Sequence, residues 1–137
     1  MSVAIVRLGS PRARGEGTRL GTVRRPPRGV PKSEFAARDY YDVWLPELAP
    51  SLALMASVDR EDPRWWPKFA RRYRAEMRQS GPSHLLDALA ALSHEANFTV
   101  GCYCEDERRC HRSVLRELLA QRGAKLLRSQ VNEADPP

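Results

Sequence analysis

Asn97-Phe-Thr-Val-Gly-Cys-Tyr-Cys-Glu-Asp-Glu-Arg-Arg-Cys-His-Arg-Ser-Val-Leu-Arg-Glu-Leu-Leu-Ala-Gln121 changes its hydrophobic period partway along. Phe98, Val100 and Cys102 alternate with Thr99, Gly101 and Tyr103, the period of a strand. Val114, Leu115, Leu118 and Leu119 recur at helical spacing. The polar run Glu105 to Arg109 is therefore a strand-to-helix loop. In open α/β sheets ligands gather at the carboxyl ends of strands, against the first turn of the next helix. Unpaired N–H groups and the positive end of the helix dipole favour anions there. Cys104, Cys110, His111 and Arg112 fall in that place.

Three chemistries compete for this loop. Beside Arg109, His111 and Arg112, at a helix start, Cys110 should be more acidic than a free thiol and could serve as a thiolate nucleophile. An arginine would then hold an anionic substrate. Alternatively, Cys102, Cys104, Cys110 and His111 could supply four soft ligands to a metal, or act in redox chemistry. Their spacing departs from the usual Cys-x2-Cys, and adjacent Cys110 and His111 are expected to point apart. In the third reading Cys102 and Cys110 are small packing residues, and His111 and Arg112 form a solvated first turn.

The chain of 137 residues is 42% hydrophobic, enough for one domain with its own core. Its three cysteines are an odd number and fit free thiols in a reducing interior, so a cytoplasmic setting is expected. No apolar run approaches the ~20 residues that cross a bilayer, so no membrane partner is expected. Met1 to Gly9 has the pattern of a first strand rather than a signal peptide. The net charge of +6 is concentrated: residues 1–32 hold eight basic side chains against Glu16 alone. Such clustering attracts phosphates, on a nucleotide or along nucleic acid, and arginine's planar fork suits them.

Along the chain, Val3 to Leu8 and Arg19 to Arg24 are predicted strands, the second stopped by Pro26 and Pro27. From Pro31 to Pro50, Tyr40, Tyr41, Trp44 and Leu45 suggest short helical turns, with Trp44 in the core. Ser51 should cap a helix reaching Val58. Asp62 and Pro63 should open a longer one, with Trp66, Phe69, Ala70, Tyr73 and Met77 inward and its arginines solvated. Gly81 should end it, and Ser83 should cap a further helix to about Ala96. His84 and His94 then lie near its ends on the surface. Gly123 supplies a C-cap, and Ala124 to Arg128 returns as a last strand. The order implies an α/β fold: one compact domain over residues 1–130, a mostly parallel sheet flanked by helices in a Rossmann-like three-layer arrangement, and a flexible tail over 131–137. Gly-x-Gly-x-x-Gly and Gly-x4-Gly-Lys-Ser/Thr are both absent, so no dinucleotide or ATP cofactor is expected.

Four blocks in order, Arg19 to Gly29, Trp44-Leu-Pro-Glu-Leu-Ala-Pro-Ser51, Trp66-x2-Phe69-x3-Tyr73-x2-Glu76 and Cys102-x-Cys104-x5-Cys110-His-Arg112, resemble the YeaO-like family of small bacterial proteins, a domain of unknown function. Members commonly show Asp-Arg-x-Trp-Pro-Arg-Gly where this chain has Arg24-Arg25-Pro26-Pro27-Arg28-Gly29, so the acidic and tryptophan positions are absent here. The likeness implies a compact α/β fold and a bacterial cytoplasmic setting, and it singles out Cys104, Cys110, His111 and Arg112. It supplies no activity.

The sequence thus predicts an anion site. Arg25, Arg28 and Arg112 would converge on the charge, Cys110 or Cys104 would attack or bind, and His111 would exchange a proton near neutral pH. The expected partner is a small phosphate-bearing, nucleotide-like molecule. The rival is a noncatalytic nucleic-acid binder that uses the N-terminal arginines. A monomer or a homodimer is compatible with either.

Overall fold

A computed structural model describes residues 1–127. Strands β1 (Val3–Arg7), β2 (Thr18–Gly21), β3 (Val43–Trp44) and β4 (Phe98–Cys102) form one sheet in the order β1-β4-β2-β3, every neighbouring pair parallel. β4 lies between β1 and β2, and all five of its residues are buried. That burial explains the apolar character of Phe98, Val100 and Cys102: a strand covered on both faces has no side to give to water. Because the strands are parallel, their carboxyl ends, and the segments following Arg7, Gly21 and Cys102, emerge at one edge of the sheet.

Helices α1 (Leu52–Ala56), α2 (Trp65–Met77), α3 (Ser80–Leu92) and α4 (His111–Gln121) complete a single compact α/β domain, consistent with a three-layer arrangement. The main core joins Val3, Ile5, Phe98 and Val100 of the sheet to Ala70, Tyr73 and Met77 of α2, Leu86 and Leu89 of α3, and Val114, Leu115 and Leu119 of α4. Burial of each large aliphatic or aromatic side chain contributes roughly 1.5–3 kcal/mol, which fixes the helices against the sheet. A second, smaller cluster of Leu8, Val23, Tyr41, Cys102 and Cys110 sits at the carboxyl edge.

Several local expectations change. Val43–Trp44 is an edge strand and not a helical turn. Trp44 is 46% exposed, because its indole lies at the sheet's edge and donates to the Val23 carbonyl at 2.7 Å. α2 begins at Trp65, since Asp62 first makes a turn, accepting from the Arg64 N–H at 2.9 Å. α3 begins at Ser80, so Gly81 and Pro82 lie inside its first turn, where a missing N–H costs nothing. Ser51 caps α1 as expected, accepting from Leu54 N, and that helix ends at Ala56. Beyond Gly123, at φ +79°, only a bridge between Leu126 and Val3 represents the last strand; Arg128 and the tail over 131–137 lie outside the described residues.

A buried ion pair, Arg19 with Glu16 at 2.5 Å, organises the loops beneath the carboxyl edge. The Arg19 guanidinium also donates to the carbonyls of Ser10, Pro11 and Asp39, while Asp42 accepts from its backbone N–H. One side chain thereby ties together the segments after β1, before β2 and before β3. A charge without exposure is tolerable only because every polar direction is satisfied.

Candidate functional site

β4 ends at Cys102, and the next residues, Tyr103 and Cys104, turn outward over the sheet edge. A short 3-10 turn, Glu107–Arg109, is capped by Asp106, whose carboxylate accepts from Arg108 N at 3.0 Å. Glu107 is held by two bonds of 3.0 Å from Arg116 on α4, so the loop is pinned to the helix it feeds. Cys110 is then the N-cap of α4, with extended backbone at φ −133° and ψ 151°, and His111 is the first helical residue.

That change of backbone conformation corrects the expectation that Cys110 and His111 point apart. Successive side chains within a helix diverge by about 100°, but an extended cap followed by a helical residue need not. Here Cys110 Sγ and His111 Nδ1 are 3.8 Å apart. Cys102 Sγ lies 3.7 Å from Cys104 Sγ. The ligating atoms of Cys102, Cys110 and His111 all fall within 4.8 Å of one another, and all three residues are buried. Cys104 is exposed and stands on the open side of this group.

His111 is oriented from β2. Its Nε2–H donates to the Thr22 carbonyl at 2.7 Å, with the Thr22 hydroxyl at 3.2 Å, and the hydroxyl itself donates to the Gly101 carbonyl at 2.9 Å. A carbonyl can only accept, so Nε2 carries a proton and Nδ1 is the nitrogen turned toward the sulfurs. The Tyr73 ring meets the imidazole edge-on at 5.3 Å and completes its packing. Thr22 is a positioning residue that the sequence did not single out. The predicted strand runs on through it to Arg24, whereas β2 ends at Gly21 and leaves Thr22 at the site.

The three thiols share protons unequally. Cys110 is held far below the ordinary thiol range, because Cys102 and Cys104 can donate S–H bonds to its thiolate and His111 adds favourable charge. Cys102 is pushed up, since it gives its proton to those neighbours and is buried. Cys104 is raised on balance: the bond from Cys102 lowers it, while its own bond to Cys110 and its desolvation outweigh that.

Above this group opens a cavity of about 500 Å³, within the range of small-molecule sites. Arg24, Arg25, Arg60 and Arg109 line it, and among the described residues no carboxylate does. Arg24 donates to the carbonyls of Pro50 and Ala49, and Arg60 lies 4.7 Å over the Trp65 ring, so neither is neutralised by these contacts. Trp65, Phe69 and Tyr103 supply aromatic wall, and Cys102, Cys104, Cys110 and His111 supply the floor.

The expected anion-binding trio is therefore divided. Arg25 lines the cavity. Arg28 stands in a neighbouring hollow with Arg7, Ser10 and Tyr40, and Arg25 and Tyr103 border both spaces. Arg112 does not line the cavity: only 3% exposed, it turns inward and donates to the Cys104 carbonyl, bracing the loop from below, while its Nε has no partner among the described residues. Arg24, Arg60 and Arg109 are cavity residues that the sequence did not assign to it. The two histidines expected at the surface, His84 and His94, are exposed and do not line the cavity; His94 bonds the Gly123 carbonyl at 2.8 Å.

Among the described residues no helix is long and apolar enough to cross a membrane. No curated protein and no solved structure matches the chain. A family model described as the active DUF488-N3 subclade does match, over residues 3–123, spanning the sheet, the helices and the whole cysteine loop. In agreement with the YeaO-like resemblance of its motifs, the chain belongs to the DUF488 family.

Proposed function

We propose that the protein binds a phosphate-bearing, nucleotide-like anion in the cavity over the carboxyl ends of β2 and β4, and acts on it through the sulfur and imidazole group at the cavity floor. One observation carries this reading: among the described residues, four arginines and no carboxylate line a cavity whose walls are otherwise aromatic and apolar above the cysteine and histidine floor. Unneutralised guanidinium groups suit phosphate oxygens, and the faces of Trp65 and Tyr103 suit a planar body attached to the phosphate. Arg25 and Arg109 are the contacts for the charge. Cys104 is the thiol that a bound molecule meets first, with Cys110 as thiolate and His111 as its proton partner beneath. The subclade's description as active supports chemistry at this floor over a purely packing role.

The nucleic-acid reading draws on a smaller basic surface than the charge count suggests: Arg12 is committed to Asp42 and Asp39, and Arg19 to Glu16, so these two hold the fold. Calorimetric titration with nucleoside monophosphates tests the proposal. Binding should weaken in Arg25→Ala and in Arg109→Ala, and bound nucleotide should slow alkylation of Cys104. No binding, or binding indifferent to both arginines, would remove this reading.

A further inference from the structure

We propose that the floor of the cavity is a site for one zinc-class divalent ion, with Cys102, Cys110 and His111 as fixed ligands and Cys104 as the ligand on the cavity side. The inference goes beyond the anion reading and does not rest on it. Its warrant is the set of distances among the donor atoms. Around a tetrahedral zinc, with bonds near 2.3 Å to sulfur and 2.0–2.1 Å to nitrogen, two thiolates stand about 3.8 Å apart, and a thiolate and an imidazole nitrogen about 3.5 Å apart. Cys102 and Cys104 are 3.7 Å apart at sulfur, and Cys110 Sγ and His111 Nδ1 are 3.8 Å apart. Each spacing fits an edge of such a tetrahedron; Cys104 Sγ stands outside the mutually close trio and adjoins it at Cys102, so it would complete the set from the cavity side. The donor atoms of Cys102, Cys110 and His111 lie within 4.8 Å of one another, so one ion can reach all three.

The surroundings match as well. A histidine ligand almost always donates its second ring N–H to an oxygen, which fixes the tautomer and aims the free nitrogen. His111 does this through Nε2 to the Thr22 carbonyl at 2.7 Å, leaving Nδ1 toward the sulfurs. Three ligands are buried and locked by β4, the cap of α4 and its first residue, while the fourth is exposed. Three soft sulfurs and one imidazole, with no carboxylate in the set, select zinc over magnesium or calcium. Binding would release the thiol protons to solvent, with no oxidation or reduction. Cys104 is the exchangeable corner. A ligand atom entering from the cavity would replace its sulfur, which places the ion where the anion would sit.

The test uses the full chain, purified in reducing buffer without chelator. Metal analysis should give one equivalent of zinc. After chelation, added Co²⁺ should give the absorption of a tetrahedral site with thiolate-to-cobalt charge transfer. Cys102→Ser, Cys110→Ser and His111→Ala should fall from one equivalent to none, whereas Cys104→Ser should keep the ion with an altered cobalt spectrum. Wild-type protein supplies a readout free of folding effects: zinc should slow modification of the buried thiols, and chelator should restore it. Absence of stoichiometric uptake by folded, reduced wild-type protein would overturn the proposal, as would unchanged uptake in the Cys102, Cys110 and His111 variants. Arg25→Ala should retain its zinc and lose nucleotide affinity, so failure of the metal site and failure of the anion reading are separately visible.

Discussion

Arg19 shows how one residue can govern the site without touching it. It satisfies Glu16 and three loop carbonyls inside a closed space, and truncation would leave Glu16 buried without its counter-charge. Arg19→Ala should therefore destabilise the protein by about 3–5 kcal/mol, read as a lower urea midpoint. Arg19→Lys should recover only part of this loss, because an ammonium cannot reproduce the fork. Cys110 makes a different claim at the same scale. Its thiol is lowered while those of Cys102 and Cys104 are raised. In metal-free protein at neutral pH one thiolate should absorb in the ultraviolet, and Cys110→Ser should abolish it. The sign of the linkage follows: a thiol lowered in the folded state adds stability that is complete above its unfolded value and is lost as pH falls through the folded one. Absence of a thiolate signal at neutral pH would contradict the arrangement of the three sulfurs. Sequence alone identified these cysteines but could not identify Arg19 as buried, since an arginine within a basic run carries no mark of its partner.

β4 and its helix were legible because their periods differ and the loop between them is strongly polar. β3 was not, because two residues at a sheet edge leave no alternation to read, and their pairing with β2 is set by Arg19 and Asp42 from outside the segment. The start of α2 was missed because Asp62 makes a turn ahead of it, and that of α3 because no side-chain cap marks Ser80 as its first residue. Within β4, Gly101 has a steric reason to lack a side chain: an added Cβ would come within 2.6 Å of Leu8 Cδ2 and 3.0 Å of the Val6 carbonyl. Gly101→Ala should cost about 1–3 kcal/mol by overpacking. Its effect should extend to the site, since Cys102 follows it and Thr22 bonds the Gly101 carbonyl. Ser51→Ala should cost about 1 kcal/mol through loss of the α1 cap. Ser51 also bonds Glu76 of α2 through both backbone and hydroxyl, so thermal unfolding of that variant should report the link between helices as well as the cap.

Across the whole molecule the parallel sheet does the converging. Segments distant in sequence, Thr22 to Arg25 and Cys102 to His111, meet because β2 and β4 are neighbours that run the same way. The sequence supported this meeting as a consequence of α/β order, yet it could not supply the contribution of Arg60 and Trp65, which reach the cavity from the segment opening α2. Nor could it separate arginines that face the cavity from those that hold loops, since burial is a property of the folded chain. The net charge of +6 will draw any anion toward the surface, so attraction alone is weak support for a site. Salt separates the two effects. General attraction falls away once the Debye length shrinks to about 3 Å near 1 M salt, whereas contacts inside a partly enclosed cavity are screened less. Nucleotide affinity should therefore decline with salt to a residual that persists, and Arg25→Ala should lower that residual while Arg14→Ala, at an exposed loop position, should not. If the residual vanishes at high salt in the wild type, or responds equally to both substitutions, the anion is held by the surface field and the cavity over the cysteines has another use.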